Sequence, residues 1–446
     1  MGDLRSSVST LVLEHGSGVV RCGYGDDNKP RTVLPSVVGR KKGSSTSAQL
    51  AKRSNQIVNK KSSVNRPQVL PPIFVTPPSA KLSENAGRKI ELGSKESNPH
   101  ATVSSNIKIG YEALKLRSFF DLENPIGDTG VVANFDDLEE MWKIIYKNVL
   151  KGSFFLSNLA LSLPYSNEES TFVTVSEILF EKHNVPQLIL ARDADLAVRF
   201  FGLQTGLLVD LGNSSVKCIP VTDKKCAYCK VQSLPFGGQH MAECLANSML
   251  QKGYKFHSQS DSEVLHSLIR DCCYVADDFD SELAKVEPTS NSLYCEKSTE
   301  LANYDAIKND MDVESIKIPE MFFQPSLLYG SRNGAKSSHQ SLDEIVIETL
   351  RTNNILTDES TRVTIALYGG QSAIPNIAQR LQDTLVATNP EIETSVWDVR
   401  CLNGSRDASW VAASKIVSHP GTAERFWVRK KEYEDYGPSI LSKKWF

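Results

Sequence analysis

Two stretches of the chain share one order of apolar and polar positions. In VLEHGSGVVRC (residues 12–22) and LVDLGNSSVKC (residues 208–218), an apolar segment ends at a carboxylate, a turn of small and polar residues follows, and a second apolar segment returns. Each pattern predicts a hairpin of two strands. The gapless alignment of the two stretches pairs Leu13 with Val209, Glu14 with Asp210, Gly16 with Gly212, Ser17 with Asn213, Val20 with Val216, Arg21 with Lys217 and Cys22 with Cys218.

The turns of these hairpins indicate an anion site. A turn rich in Gly lets backbone N–H groups approach an anion closely, and a carboxylate beside it holds a cation directly or through water. Two such hairpins predict two similar lobes that face a phosphate–metal pair. The alternative is that two ordinary hairpins are alike by chance.

The remaining chain alternates between apolar strands, Gly turns and amphipathic helices. This order is typical of α/β lobes that bind ligands at strand ends. The periodicity predicts strands at 158–164, 187–191 and 363–368, and helices at 168–182, 193–201, 238–250, 265–279, 341–353 and after Pro375.

Composition places the chain among soluble proteins with more than one core. It has 446 residues, of which 40% are apolar and 23% charged, and its net charge of −3 excludes a global attraction to nucleic acid or to an anionic membrane. No apolar run approaches the roughly 18 residues of a membrane span, and the N-terminus lacks the apolar segment of a signal peptide. Nine scattered cysteines indicate reduced thiols, so we expect a protein of the nucleus or cytoplasm that is not secreted.

Two segments break the α/β pattern. Residues 41–105 are rich in Ser, Asn, Pro and Lys, and we predict a long, largely disordered insertion because so little apolar surface is available for burial. Its paired basic residues favour a nuclear import signal or a nucleic-acid-binding loop, or alternatively a solvated loop without function. Residues 284–317 are predicted to form a second variable loop.

Several longer segments resemble the actin and actin-related protein family. These are LVLEHGSGVVRCGYGDDNKPRTVLPSVVGR, GYEALKLRSFFDLENPIGDTGVVANFDDLEEMW, CCYVADDFDSEL, FQPSLL, LYGGQSAIPNIAQRL and FWVRKKEYEDYGPSILSKKWF. The resemblance implies an α/β, actin-like ATPase fold of two duplicated lobes around a nucleotide cleft, with the 41–105 insertion in the second subdomain. It also implies an outer lobe of residues 1–200 and 408–446 (subdomains 1 and 2) and an inner lobe of residues 201–407 (subdomains 3 and 4).

The resemblance further implies a site for ATP or ADP with Mg²⁺. Glu14 and Asp210 stand at the metal positions, the latter with an expected contact through water. The implied nucleotide-binding residues are Gly16, Ser17, Gly18, Arg21, Asp210, Gly212, Asn213, Gly238, Gly369, Gly370 and Arg406.

Several positions depart from the family pattern. Asp193 aligns with the Gln that orients the attacking water, and Lys217 aligns with a His near the water path. Ile269 and Arg270 replace a Lys-Glu pair at the base, and Ile374 replaces a Tyr that stacks on it. Hydrolysis depends mostly on positioning, so we expect ATP hydrolysis to be slow or lost while binding is kept.

The expected function is that of a divergent actin-related protein that serves as a nucleotide-stabilised scaffold for protein subunits, with actin as one candidate partner. The basic 41–105 segment favours a nuclear chromatin-remodelling or histone-modifying complex, and it is the one segment expected to contact nucleic acid. The alternative is a cytoplasmic, cytoskeletal protein that caps, joins or forms filaments.

Overall fold

The computed structural model describes residues 9–42, 106–151, 157–256, 259–285, 297–298, 304–329, 340–356 and 362–444. The predicted disordered insertion at 41–105 lies outside the described residues apart from its first two positions. The prediction about its basic residues lies outside them as well.

Two mixed six-stranded sheets form the centre of the molecule. The outer sheet has the order β17-β8-β7-β1-β2-β3, and the inner sheet has the order β11-β10-β9-β15-β16, with β12 also paired to β10. The outer strands are β1 (Thr10–His15), β2 (Val19–Tyr24), β3 (Thr32–Pro35), β7 (Asn158–Leu163), β8 (Gln187–Arg192) and β17 (Val428–Arg429). The inner strands are β9 (Gly206–Leu211), β10 (Val216–Thr222), β11 (Lys225–Cys226), β12 (Gln232–Leu234), β15 (Val363–Tyr368) and β16 (Trp397–Arg400).

The hairpin β1–β2 and the hairpin β9–β10 have the same register. Glu14 lies opposite Arg21 in the first, and Asp210 lies opposite Lys217 in the second. The first strand of each hairpin also has a parallel neighbour on its other side, β7 for β1 and β15 for β9. The predicted fold of two duplicated α/β lobes is therefore confirmed.

The remaining described strands form two smaller sheets. One has three strands in the order β5-β4-β6, and the other pairs β13 with β14; the chain between β4 and β5 runs through residues 43–105, which lie outside the described residues. The strands of these sheets are β4 (Val38–Lys41), β5 (Ile107–Ile109), β6 (Phe120–Glu123), β13 (Tyr254–Lys255) and β14 (Lys297–Ser298).

Sixteen α-helical segments of the described chain cover the sheets. They are α1 (Gly110–Lys115), α2 (Phe135–Ile144), α3 (Glu169–Glu177), α4 (Asp193–Phe201), α5 (Gly238–Gln251), α6 (Gln259–Cys272), α7 (Phe279–Lys285), α8 (Tyr304–Asn309), α9 (Glu314–Glu320), α10 (Ser326–Tyr329), α11 (Leu342–Thr352), α12 (Ile377–Thr388), α13 (Ala408–Val417), α14 (Pro420–Ala423), α15 (Lys430–Tyr436) and α16 (Ile440–Lys443). Helix α4 matches its predicted range, and α2 and α3 continue into short π-helical turns.

Helices α4 and α13 pack together between the sheets. Trp410 of α13 is fully buried against the outer sheet, where its indole N–H donates to the Val12 carbonyl over 3.1 Å. Ala197 and Phe201 of α4 are buried against the inner sheet. This helix pair thus packs against the outer sheet through α13 and against the inner sheet through α4.

The structure differs from the sequence prediction in two segments of the inner lobe. The helix predicted for 265–279 ends at Cys272. After a last helical bond from Cys273, the backbone N–H groups bond to other elements: Tyr274 donates to Ser315 and Val275 donates to Pro375. A variable loop was predicted for 284–317, but the last part of this range forms α8 and the start of α9. The reason is that the apolar side chains of Ile307 and Ile316 are buried there.

A buried histidine follows the first carboxylate. The indole N–H of Trp142 donates to Nδ1 of His15 over 3.1 Å, so Nε2 carries the proton and donates to the Ser36 hydroxyl over 2.9 Å. Burial lowers the pKa of His15 to about 3. The ring is therefore neutral in the folded protein at physiological pH.

We expect the free energy of unfolding to fall as the pH drops from about 6.5 to about 3. Below the ordinary pKa of 6.5 the unfolded chain binds a proton at His15 and the folded chain does not. The free energy of unfolding therefore falls by roughly 1.4 kcal/mol for each pH unit because of this residue. Urea unfolding of the wild type and of His15→Asn between pH 7 and pH 4 measures this slope. The exposed His419 supplies the control variant His419→Asn, which is expected to keep the wild-type slope. Equal slopes in all three proteins would contradict a neutral His15.

Candidate ligand cleft between the two lobes

The turns of the duplicated hairpins face one cleft of about 930 Å³. Its volume is that of a small-molecule site. The sequence-predicted residues that line it are Glu14, Gly16, Ser17, Gly18, Arg21, Asp193, Asp210, Gly212, Asn213, Lys217, Gly369, Gly370 and Arg406. The topology therefore brings together residues from both lobes that are up to 392 positions apart (406 − 14).

The two turns approach each other directly. The Ser17 and Ser214 hydroxyl oxygens lie 3.2 Å apart, and a Cβ atom on Gly18 would lie 2.8 Å from the Cβ of Asn213. A side chain at position 18 would therefore push the turns apart. Gly18 therefore allows the first turn to approach the Asn213 side chain of the second turn closely.

Arg21 lies in a buried ion-pair network. It donates from Nη1 to Glu14 Oε1 over 2.9 Å, from Nε to Asp407 Oδ1 over 2.6 Å, and from Nη2 to the Arg406 carbonyl over 3.1 Å. The Arg21 side chain is 7% exposed. Its three donor nitrogens thus connect the first hairpin to the segment that precedes α13, because a planar guanidinium bonds several acceptors at once.

Glu14 keeps one oxygen available beside this network. Its Oε2 atom is buried and has no hydrogen-bond partner among the described residues. Burial raises the pKa of Glu14, and the charges of Asp407 and Asp210 add to the increase while Arg21 opposes it. A buried carboxylate oxygen without a donor fits a cation, and hard cations prefer oxygen ligands.

The second hairpin repeats the pairing of carboxylate and base with looser geometry. Lys217 Nζ lies 3.9 Å from Asp210 Oδ2 and 5.1 Å from the centre of the Tyr165 ring. Burial raises the pKa of Asp210, and Lys217 and Arg21 oppose the shift. Among the described residues, no three His, Cys, Asp or Glu side chains gather into a metal site.

Asp193 is fixed by the backbone at the start of α4. Its Oδ1 atom accepts hydrogen bonds from the N–H groups of Tyr165 and Ala194, both over 2.8 Å. Burial, together with the charges of Asp210 and Glu14, raises the pKa of Asp193 to about 7, against the effect of Lys217. The cleft thus contains a carboxyl group that changes its charge near neutral pH.

Two further glycines stand beside the second hairpin. Gly369 has a φ angle of +93°, and a Cβ atom there would lie 2.6 Å from Asp210 Oδ1. Gly238 is set back from the cleft lining, because the Gln371 side chain lies over it: a Cβ atom on Gly238 would lie 2.1 Å from Gln371 Nε2.

Helix α6 forms the far wall of the cleft. Ile269 and, from the segment after β15, Ile374 are buried there and offer an apolar surface, while Arg270 and Arg406 add two positive charges. Burial lowers the pKa of His266 on the same helix. The wall thus combines an apolar surface with positive charges. Such a wall suits a ligand that has a flat ring and anionic groups attached to it.

Among the residues that the sequence analysis did not identify, three shape the cleft or its surroundings. Asp407 binds Arg21, Gln371 covers Gly238, and Glu263 lines the wall of α6. Asp407 directly follows Arg406 and precedes the predicted C-terminal part of the outer lobe, but its partner lies 386 positions away. No local sequence pattern predicts the pairing of Asp407 with Arg21.

Comparison with known protein families decides the relationship. The family described as Actin matches residues 5–446. The chain belongs to the actin family. It is a divergent actin-related protein, since its similarity to curated members is low but runs from end to end.

The similar curated members of the actin family include three proteins called actin-related protein 2. The one from Acanthamoeba castellanii is 24% identical over 449 residues, which cover 99% of this chain and 100% of that protein. The one from Saccharomyces cerevisiae is 24% identical over 443 residues, and the one from Schizosaccharomyces pombe is 22% identical over 450 residues, each with 97% of both chains covered. No described helix of this actin-family chain has the length and apolar character needed to cross a membrane.

Proposed function

We propose that this chain is a nucleotide-stabilised scaffold of the actin family that binds ATP or ADP with Mg²⁺ and hydrolyses ATP slowly or not at all. The single observation that carries the proposal is Asp193. A carboxyl group with its Oδ1 held by two backbone N–H groups lies where a neutral, water-orienting amide is expected. Such a group repels a terminal phosphate when it is ionised, and phosphoryl transfer depends on positioning.

The binding part of the proposal rests on the hairpin turns and their carboxylates. Gly16, Ser17 and Gly18 with Gly212 and Asn213 would hold the phosphates, and Glu14 with Asp210 would hold the metal ion. A bound divalent cation would neutralise phosphate charge in the cleft. The remaining proposed contacts are Arg21, Lys217, Gly369, Gly370 and Arg406. Gly238 would contribute from beneath the Gln371 side chain.

We also propose the division into lobes that the resemblance implies. Residues 1–200 and 408–446 form the outer lobe, and residues 201–407 form the inner lobe. The strand content supports this division, since every strand of the outer six-stranded sheet lies in the first set and every strand of the inner one in the second.

The test is an analysis of nucleotide content together with an ATPase assay. Acid extraction of the purified full chain, followed by chromatography, is expected to release ATP or ADP in a near-equal amount to protein. Steady-state phosphate release from the same sample is expected to be far below that of an actin sample at equal concentration. Release of phosphate at the rate of actin would overturn the scaffold proposal, and a nucleotide-free protein that takes up no ATP would overturn the binding proposal.

For the cellular setting we propose a nuclear chromatin-remodelling or histone-modifying complex in which the chain binds protein subunits. The basic residues between 41 and 89 support this setting. A second candidate is a cytoplasmic protein that caps, joins or forms filaments. The likeness to proteins called actin-related protein 2 over nearly the whole chain supports that second candidate.

Imaging of a tagged copy separates the two settings. The full chain is expected in the nucleus, and a variant without residues 43–89 is expected to lose part of that signal. Cytoplasmic signal from both proteins, together with a robust pellet after sedimentation with ATP and magnesium, would favour the cytoskeletal candidate instead.

A further inference from the structure

One side-chain hydrogen bond joins the two lobes at the exposed edge of the cleft. The Tyr111 hydroxyl of α1 donates to Glu263 Oε1 of α6 over 3.1 Å. Tyr111 is 40% exposed, and Glu263 lines the cleft. Because the partners belong to different lobes, any opening of the cleft at this edge must break the bond.

Both partners stand on well-anchored helices. Gly110 begins α1 with a φ angle of +53°, and its N–H donates to the Val37 carbonyl over 2.9 Å. Ala113 and Leu114 bury the other face of α1 in the outer lobe. On α6, Leu265, Leu268 and Ile269 are buried in the core around the inner sheet. Each helix is thus packed onto its own lobe, so the hydrogen bond links the two lobes and not only the two helices.

The surroundings of the bond attract anions. Arg270 and Arg406 line the same part of the cleft, and their charges act on the Tyr111 hydroxyl. Arg406 forms no ion pair with a carboxylate of the described residues, whereas Arg270 is paired with its neighbour Asp271 over 3.1 Å. An anionic ligand on its way into or out of the cleft therefore passes two cations and the Tyr111–Glu263 pair.

We propose that the Tyr111–Glu263 hydrogen bond is a latch that sets the rate at which a ligand leaves the cleft. The ligand class is a nucleotide, so this inference rests on the proposed function. The latch holds the lobes together at the edge, the Ser17–Ser214 contact holds them at the hairpin turns, and release requires both to separate. Loss of the latch speeds release without removing any group that contacts the phosphates.

The experiment compares two tyrosines with the same kind of bond. Tyr111→Phe keeps the ring and removes the latch. Tyr274→Phe is the matched control, because the Tyr274 hydroxyl also donates to a carboxylate, Glu282 Oε1 over 3.2 Å, but within the inner lobe. The full chain is loaded with fluorescent etheno-ATP and chased with excess ATP.

Release from Tyr111→Phe is expected to be about three- to tenfold faster than from the wild type, as befits one partly exposed hydrogen bond to a charged group. Tyr274→Phe is expected to match the wild type. Glu263→Gln keeps an acceptor and loses the charge, so its release rate is expected to lie between those of the wild type and Tyr111→Phe. Equal release from all four proteins would overturn the latch while leaving nucleotide binding intact.

A second readout needs no bound nucleotide. Deuterium uptake of the backbone at 110–115 and 259–272 is expected to rise in Tyr111→Phe and not in Tyr274→Phe, since the two helices lose their mutual support. Unchanged uptake in Tyr111→Phe would overturn the latch. If the wild type takes up no etheno-ATP, the proposed function fails, and the uptake comparison alone decides whether the lobes are latched.

Discussion

Replacement of Arg21 by alanine is expected to lower the free energy of unfolding by about 3 kcal/mol or more. The substitution leaves the largely buried Glu14 and the half-buried Asp407 without their common cation and removes the donor from the Arg406 carbonyl. An uncompensated buried charge typically costs about 3–5 kcal/mol, and protonation of Glu14, whose pKa burial already raises, limits part of that cost. Urea unfolding at pH 7, followed by circular dichroism, measures the change.

An exposed pair of the same chemistry provides the control. Arg31 donates to both carboxylate oxygens of Asp27, from Nε over 2.7 Å and from Nη2 over 3.0 Å, but its side chain is 57% exposed. Arg31→Ala is expected to leave the unfolding midpoint nearly unchanged, because solvent screens exposed ion pairs. The variant Arg21→Lys is expected to lie between wild type and Arg21→Ala, since an ammonium group keeps the charge but cannot bond three acceptors in one plane. Equal midpoints for Arg21→Ala and Arg31→Ala would show that the network adds no stability.

The second large effect is expected at Asp193. Asp193→Gln replaces the carboxylate by a neutral amide that can orient water. At pH 8, where the native carboxyl is mostly ionised, the variant is expected to bind ATP roughly fivefold more tightly, because one charge–charge repulsion of about 1 kcal/mol disappears. Its rate of ATP hydrolysis is expected to rise about tenfold, since one positioning group returns.

The pH dependence of ATP affinity tests the cause. The pKa of Asp193 is raised to about 7, so its ionised fraction grows between pH 6 and pH 8. An anionic ligand prefers the protonated form, and the wild-type affinity for ATP should therefore fall across this window. Asp193→Gln should bind ATP with the same affinity at both ends. Isothermal titration calorimetry at pH 6, 7 and 8 supplies the three affinities.

A second carboxylate in the cleft supplies the matched control. Glu243 lines the cleft from α5 and bonds only the neighbouring Gln239, over 3.2 Å, among the described side chains. Glu243→Gln makes the same change of charge and group without touching the backbone-anchored position. It is expected to alter neither the pH dependence nor the hydrolysis rate. If both variants bind and hydrolyse ATP alike, general cleft charge is responsible and the role given to Asp193 is wrong.

Much of the fold could be predicted because the deciding signals are local. Strands and helices follow from apolar spacing over a few residues, and the range of α4 was predicted without error. The likeness of the two hairpins was predicted as well, and their shared register follows from it, since the same spacing of apolar positions and the same turn length leave the same pairing in each. Where prediction was wrong, at 273–279 and in α8 and α9, backbone contacts with distant segments or burial in a remote core decided the outcome.

By itself, the sequence determined that two carboxylate-and-glycine hairpins of one register stand in a duplicated α/β chain of the actin family. Only the tertiary structure decided what those hairpins hold. Arg21 is paired with Asp407 from the far end of the chain, Asp193 is anchored by Tyr165, and Tyr111 reaches Glu263 across the cleft. The physical reason is that a side chain's charge state and partners depend on which elements pack around it. Those elements are 28 to 386 positions away, beyond the reach of any local pattern.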